Sequence, residues 1–242
     1  MVKSKKDLFA GLLHTAKIFI VLAFVFSLVS CKSAKKNVVQ KQVLRGMIYD
    51  WANTPIGSVE LTLTSSTDSK FSKTVFSDMT GRFDFGYILP GSYTLTGYVA
   101  DYEDIYENFN FIDSRQILYI RTASNTQLLE KAYEALGENK FDEAESYIKR
   151  ANELKHSDMK TLFYEALLNF EKGNFDNALR ILSLLEKKDA SNIAVLIFAA
   201  DIYQYEKKDS ITALKYLKKA ALFSDDSEIQ KRIKILENEG EK

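Results

Sequence analysis

Apolar and polar residues alternate with a period of two across residues 42–121. In "SVELTLTSS", Val59, Leu61 and Leu63 alternate with Glu60, Thr62 and Thr64, which predicts a strand with one apolar and one polar face. "FSDMTGRFDF" reads as a hairpin in which Asp78 to Gly81 form the turn and Phe83 and Phe85 point together into a core. "LPGSYTLTGY" repeats the device, with Pro90 and Gly91 in the turn and Tyr93 and Leu95 on one face. Short strands at this spacing predict an all-β sandwich of about seven strands. The end of this region, "YVADYEDIYENFNFIDSRQ", sets Asp101, Glu103, Asp104, Glu107 and Asp113 among Tyr98, Tyr102, Tyr106, Phe109 and Phe111. That mixture reads first as a strand with a core face and a solvated face; the alternatives are calcium on the clustered carboxylates, for which no calcium-loop spacing is present, and sugar stacked on the tyrosines.

After "RTASNT", which reads as a short polar linker, the period becomes helical and a repeat emerges. Leu128, Leu162 and Leu196 are each 34 residues apart, as are Ala132, Ala166 and Ala200. Phe141 aligns with Phe175 and Ala144 with Ala178, whereas the third copy needs one extra residue in its turn to bring Ala213 into register. The small residues predict close helix crossings. Ile148, Leu182 and Leu217, with Ala151, Leu185 and Ala220, supply the faces that stack one hairpin on the next. The predicted fold is therefore multidomain: the sandwich at 42–121, then an all-α solenoid at 126–242. The latter comprises three helical hairpins (about 125–158, 159–192 and 193–227) and a capping helix at 228–238, whose Ile229, Ile233 and either Ile235 or Leu236 share one side.

The N-terminus carries a different pattern. Lys3, Lys5, Lys6 and Lys17 precede an apolar run, "IFIVLAFVFSLV", that is shorter than the roughly 20 residues a spanning helix needs. A charged stretch followed by a short apolar one reads as an export signal, residues 1–30. Its end, Leu28-Val29-Ser30-Cys31, resembles the lipobox of bacterial lipoproteins. The resemblance implies cleavage before Cys31, a diacylglyceryl thioether on that cysteine, and anchoring to a membrane without spanning it. Two or three acyl chains suffice for stable attachment, at about 0.8 kcal/mol per buried methylene. Residues 31–41 then form a basic tether with Lys32, Lys35, Lys36 and Lys41. In proteobacterial lipoproteins an aspartate after the cysteine signals inner-membrane retention; Lys32 and Ser33 stand there instead, which leans toward the outer membrane.

Two further resemblances follow from quoted residues. Gly46, the Pro55 and Gly57 loop, Asp78 to Phe83, and Leu89-Pro90-Gly91-Ser92-Tyr93 resemble the carboxypeptidase regulatory-like, transthyretin-like domains, a family that mostly serves as accessory or spacer units. The 34-residue helical unit resembles the tetratricopeptide repeat. It departs from that pattern in lacking a closing proline and in placing Asn169 where the first helix usually carries an aromatic. The repeat resemblance implies a partner-binding concave face lined by each first helix. Counted along those helices, its residues are Leu129 and Tyr133, then Phe163, Leu167 and Phe170, then Ile197, Asp201 and Tyr205.

Charge and composition narrow the function. Removing the leader takes away four lysines and one aspartate, shifting the net charge from zero to −3, which offers no electrostatic footprint for nucleic acid. Cys31 is the only cysteine and, after the leader, His156 the only histidine, which speaks against Ser-His or Cys-His catalysis. No metal-ligand spacing or phosphate-cradling glycine loop is present, so no cofactor and no enzymatic activity are expected. Two readings remain: a membrane-tethered scaffold that captures another envelope protein on the repeat groove, and a glycan- or peptidoglycan-associated binding lipoprotein that uses the sandwich near Tyr102 and Tyr106.

Overall fold

The computed structural model describes residues 40–240. The leader and Cys31 lie outside the described residues. Seven strands come first: β1 Gln42–Asp50, β2 Glu60–Ser65, β3 Ser72–Phe76, β4 Arg82–Ile88, β5 Gly91–Tyr98, β6 Ile105–Phe111 and β7 Ile117–Thr122. They form two sheets, ordered β4-β1-β7 and β3-β2-β5-β6, antiparallel throughout except where β7 runs parallel to β1. The predicted alternation sets the inner faces. Val59, Leu61, Leu63, Phe85 and Leu95 are fully buried, with Phe83 and Tyr93 nearly so. Each such large side chain contributes about 1.5–3 kcal/mol by leaving water.

Turn chemistry fixes the register. Asp78 Oδ1 accepts from Thr80 N at 2.8 Å, Thr80 Oγ1 at 2.7 Å and Arg82 N at 3.0 Å, while Gly81 adopts φ +73°. Those bonds hold the Asp78 carboxyl below the usual carboxylate range, the Thr80 hydroxyl being the main cause. Tyr93 donates its hydroxyl to the Leu89 carbonyl at 2.7 Å and so ties the β4–β5 connection to the core.

The helices follow: α1 Asn125–Gly137, α2 Phe141–Leu154, α3 Met159–Glu171, α4 Phe175–Lys188, α5 Ile193–Asp201 continuing into a π-helical turn Ile202–Glu206, α6 Ser210–Ala220 and α7 Ser227–Gly240. They make a region of repeated helical hairpins. The first helix of each hairpin starts at a side-chain cap, Ser124, Asp158 and Asn192, and these caps are themselves 34 residues apart. Ala132, Ala144, Ala166, Ala178, Ala200 and Ala213 are fully buried, as the close crossings require. In α7, Ile229, Ile233 and Leu236 are buried and Ile235 is exposed, so Leu236 completes the packed side.

The extra residue of the third copy lies within the first helix, in its last turn, and not in the loop beyond it. Glu138 N bonds Glu134 O in the first hairpin and Lys172 N bonds Leu168 O in the second, both four residues back. In the third, Lys207 N reaches five residues back to Ile202 O at 2.9 Å. The insertion is absorbed as a π turn.

The junction is not a free tether. Ala123 is fully buried, Ser124 caps α1 in a capping box with Gln127, and Asn125 is buried, its side-chain amide donating to the Ala151 carbonyl at 2.8 Å. Glu103 N bonds Ala123 O, and Asn125 N bonds Asp101 O. Glu103 and Arg150 form a bidentate pair, 2.7 Å for each bond, and the guanidinium lies 5.3 Å from the centre of the Trp51 ring. Polar composition alone reads as a linker because caps and buried amides use the same residue types as loops.

Candidate partner-binding face of the helical repeats

The stripe along the first helices α1, α3 and α5 is partly structural and partly open. Leu129 must be corrected: it is fully buried, in a cluster with Ala123, Leu136 and Leu168 against which Tyr164 and Leu167 of α3 pack. Helical counting places it on the correct stripe but does not reveal that the next hairpin leans over it. Tyr133, one turn on, is 62% exposed, with its ring 6.4 Å from that of Tyr164 in an edge-on arrangement.

In the middle of the stripe Phe163, Leu167 and Phe170 are half-buried. Phe163 and Phe170 both meet Phe198 of α5, with centroids 5.8 and 5.3 Å apart, so this aromatic step joins successive hairpins. Such pairs add about 0.5–1.5 kcal/mol beyond burial. Residues at the C-terminal end behave differently. Ile197 is half-buried against the α6–α7 cluster. Asp201 pairs with Arg232 of the capping helix at 2.7 Å. Arg232 also donates to Gln204 Oε1 at 2.7 Å and lies 5.8 Å from the Tyr205 ring centre. Its Nε is buried without a hydrogen-bond partner. Asp201 is therefore engaged within the chain, while Tyr205 remains 52% exposed.

What stays available is a face with Tyr133 and Tyr205 standing out and with the half-buried edges of Phe163, Leu167, Phe170 and Ile197 between them in sequence. Phe198 and Tyr164, which complete the aromatic steps, were missed by counting; their signal is that Tyr164 and Phe198 occupy the same repeat position, 34 residues apart.

The other sequence-derived candidates separate. Tyr102 is half-buried against the sandwich core, whereas Tyr106 is 68% exposed on the outer face of β6. Exposed His156, between α2 and α3, has Nδ1 2.5 Å from the Asn152 carbonyl. Among the described residues no group of three His, Cys, Asp or Glu side chains is placed to hold a metal ion, and no helix is long and apolar enough to cross a membrane.

A two-sheet sandwich leading into capped helical hairpins thus defines a two-part protein, a β domain followed by helical repeats. No family model matches the sequence, and no curated protein matches it. Among solved structures, the type III secretion chaperone SycD of Yersinia enterocolitica in complex with a peptide of the translocator YopD is similar at 15% identity and a TM-score of 0.42, over 48% of this chain and 93% of that one. The Arabidopsis OM64 TPR domain is similar at 15% identity and a TM-score of 0.40, over 46% and 93% of the two chains. A tetratricopeptide repeat protein of Parabacteroides merdae is similar at 19% identity and a TM-score of 0.41, over 46% and 45%.

Proposed function

We propose that the protein is a membrane-anchored envelope lipoprotein and a protein-interaction scaffold, holding a segment of another envelope protein on the first-helix face. The observation that carries this reading is the exposure of Tyr133 and Tyr205 at the two ends of a half-buried aromatic stripe. Rigid tyrosines that present a flat apolar ring with a polar tip are frequent anchors of protein contacts. The anchor is the acylated Cys31, followed by the basic tether 31–41, with the outer membrane as the favoured site because Lys32 follows the cysteine. Binding, rather than catalysis, is the proposed activity.

The experiment combines labelling with capture. Palmitate should be incorporated into the wild type and not into Cys31→Ser, and envelope partners retained by the wild type should be lost from a Tyr133→Ala, Tyr205→Ala double variant that melts at the wild-type temperature. Absence of palmitate in the wild type refutes the anchor. Full retention by the double variant refutes the face.

A further inference from the structure

The outer face of the β3-β2-β5-β6 sheet carries a second candidate site, independent of the repeats. Tyr98 ends β5 and Tyr106 lies on β6, and the register pairs Tyr106 with Thr96, two residues before Tyr98, so the two rings are diagonal neighbours on one face. They are 64% and 68% exposed. Glu60 of β2 is the direct partner of Tyr98, and Asp104 precedes β6. Together with Thr62 and Thr96 these residues line a depression of about 390 Å³. A second depression of about 410 Å³ adjoins it, sharing Tyr98 and Asp104 and running past Asp101 to Glu153 of α2. The two make one elongated groove.

Three features select its occupant. The carboxylates of Glu60 and Asp104 form no ion pair and no side-chain hydrogen bond among the described residues, so they repel anions and are free to accept. Beyond them the same face is a row of hydroxyls and amides, with Thr62 bonded to Thr74 at 2.8 Å, Thr94 to Asn108 at 2.7 Å and Ser92 to Asn110 at 2.6 Å. The groove also crosses the strands instead of following the open edge of β6, where an added peptide strand would lie.

We propose that this groove binds an uncharged glycan chain, with sugar rings set against Tyr98 and Tyr106 and their hydroxyls donating to Glu60 and Asp104. A pyranose offers both parts of the match: an apolar C–H face for an aromatic ring, and paired hydroxyls for a carboxylate.

The test is affinity electrophoresis of the full chain in detergent through gels containing a soluble β-glucan, a soluble α-glucan or N-acetylglucosamine oligomers, with polylysine as the cationic comparator. At least one glycan should retard the protein, equally at low and high salt. Tyr98→Ala and Tyr106→Ala should each weaken that binding about tenfold, as loss of an aromatic anchor does, and Tyr106→Phe should retain most of it. Tyr119→Ala, exposed on the opposite sheet, should change nothing. Retardation by none of the glycans overturns the proposal, as does affinity that survives loss of both tyrosines. Binding to polylysine alone, abolished by salt, assigns the groove to a cationic peptide instead.

Discussion

Gly81 shows how one residue can hold a turn. At φ +73° it occupies the left-handed region, and a Cβ there would come within 2.4 Å of the Ile48 carbonyl oxygen, which belongs to β1. Gly81→Ala therefore combines backbone strain with a backbone clash and should cost at least about 2 kcal/mol in denaturant unfolding. A loss below half that value would mean the β3–β4 turn readily rebuilds. Tyr216 of α6 gives a residue-scale pH signature. Burial, reinforced by Glu186, pushes its phenol up to about 12 from an ordinary value near 10. The folded state thus keeps a proton that the unfolded chain releases. Its stabilisation is complete below about pH 10 and is lost as pH rises toward about 12. Tyr216→Phe should flatten that part of the stability profile, measured by urea midpoint against pH. Much at this scale was legible in sequence: the turn at Asp78 to Gly81 follows from its turn residues, and the inward pairs Phe83/Phe85 and Tyr93/Leu95 from alternation. Leu129 was not, because a helical stripe states which residues share a face and not what covers that face.

At the scale of elements, capping reveals the repeat as clearly as the alanines do. Asn192 accepts from Val195 N at 3.2 Å, and Asp158 accepts from Lys160 N and Thr161 N at 3.1 and 3.2 Å. Replacing Asn192 with Ala removes a partner for an otherwise unpaired N–H and should cost about 1 kcal/mol in chemical denaturation, with Asn192→Ser close to neutral. The 34-residue period was readable from the leucines and alanines, and so was the odd residue of the third copy. Its placement was not readable. A residue added to the loop and one absorbed as a π turn give the same sequence spacing, and only the bond from Lys207 N to Ile202 O distinguishes them. That turn sets the register of Tyr205 on the proposed binding face.

Taken whole, the described chain from Lys41 onward clusters as one compact unit, even though its two halves follow different periods. Besides the junction's backbone bonds and the Asp101–Lys155 pair at 2.9 Å, the contact uses Trp51, Glu103, Tyr147 and Arg150: Trp51 and Tyr147 meet edge-on at 6.2 Å, and Arg150 lies over both rings. Glu103 and Arg150 are partly exposed, which limits the value of the pair, so Arg150→Ala should cost about 1–2 kcal/mol. Trp51, the only tryptophan, reports the junction. In the wild type its fluorescence and the helical circular dichroism should unfold together, and in Arg150→Ala the two transitions should separate. Separate transitions already in the wild type would show that the sandwich and the repeats unfold as independent modules. The period change marked where strands give way to helices, but contacts between residues 47 and more positions apart, such as Glu103 with Arg150, leave no trace in a local pattern.

The central claim is that the first-helix face holds a partner. A photocrosslinking amino acid placed at Tyr133 or Tyr205 in living cells tests it most directly, with exposed Ile211 on α6 as the comparison position. The account expects one discrete protein adduct from both tyrosine positions, none from Ile211, and loss of the Tyr205 adduct when Tyr133 is replaced with Ala. Adducts of equal yield at all three positions, or none at Tyr133 and Tyr205 in cells where the protein is folded and anchored, would contradict it.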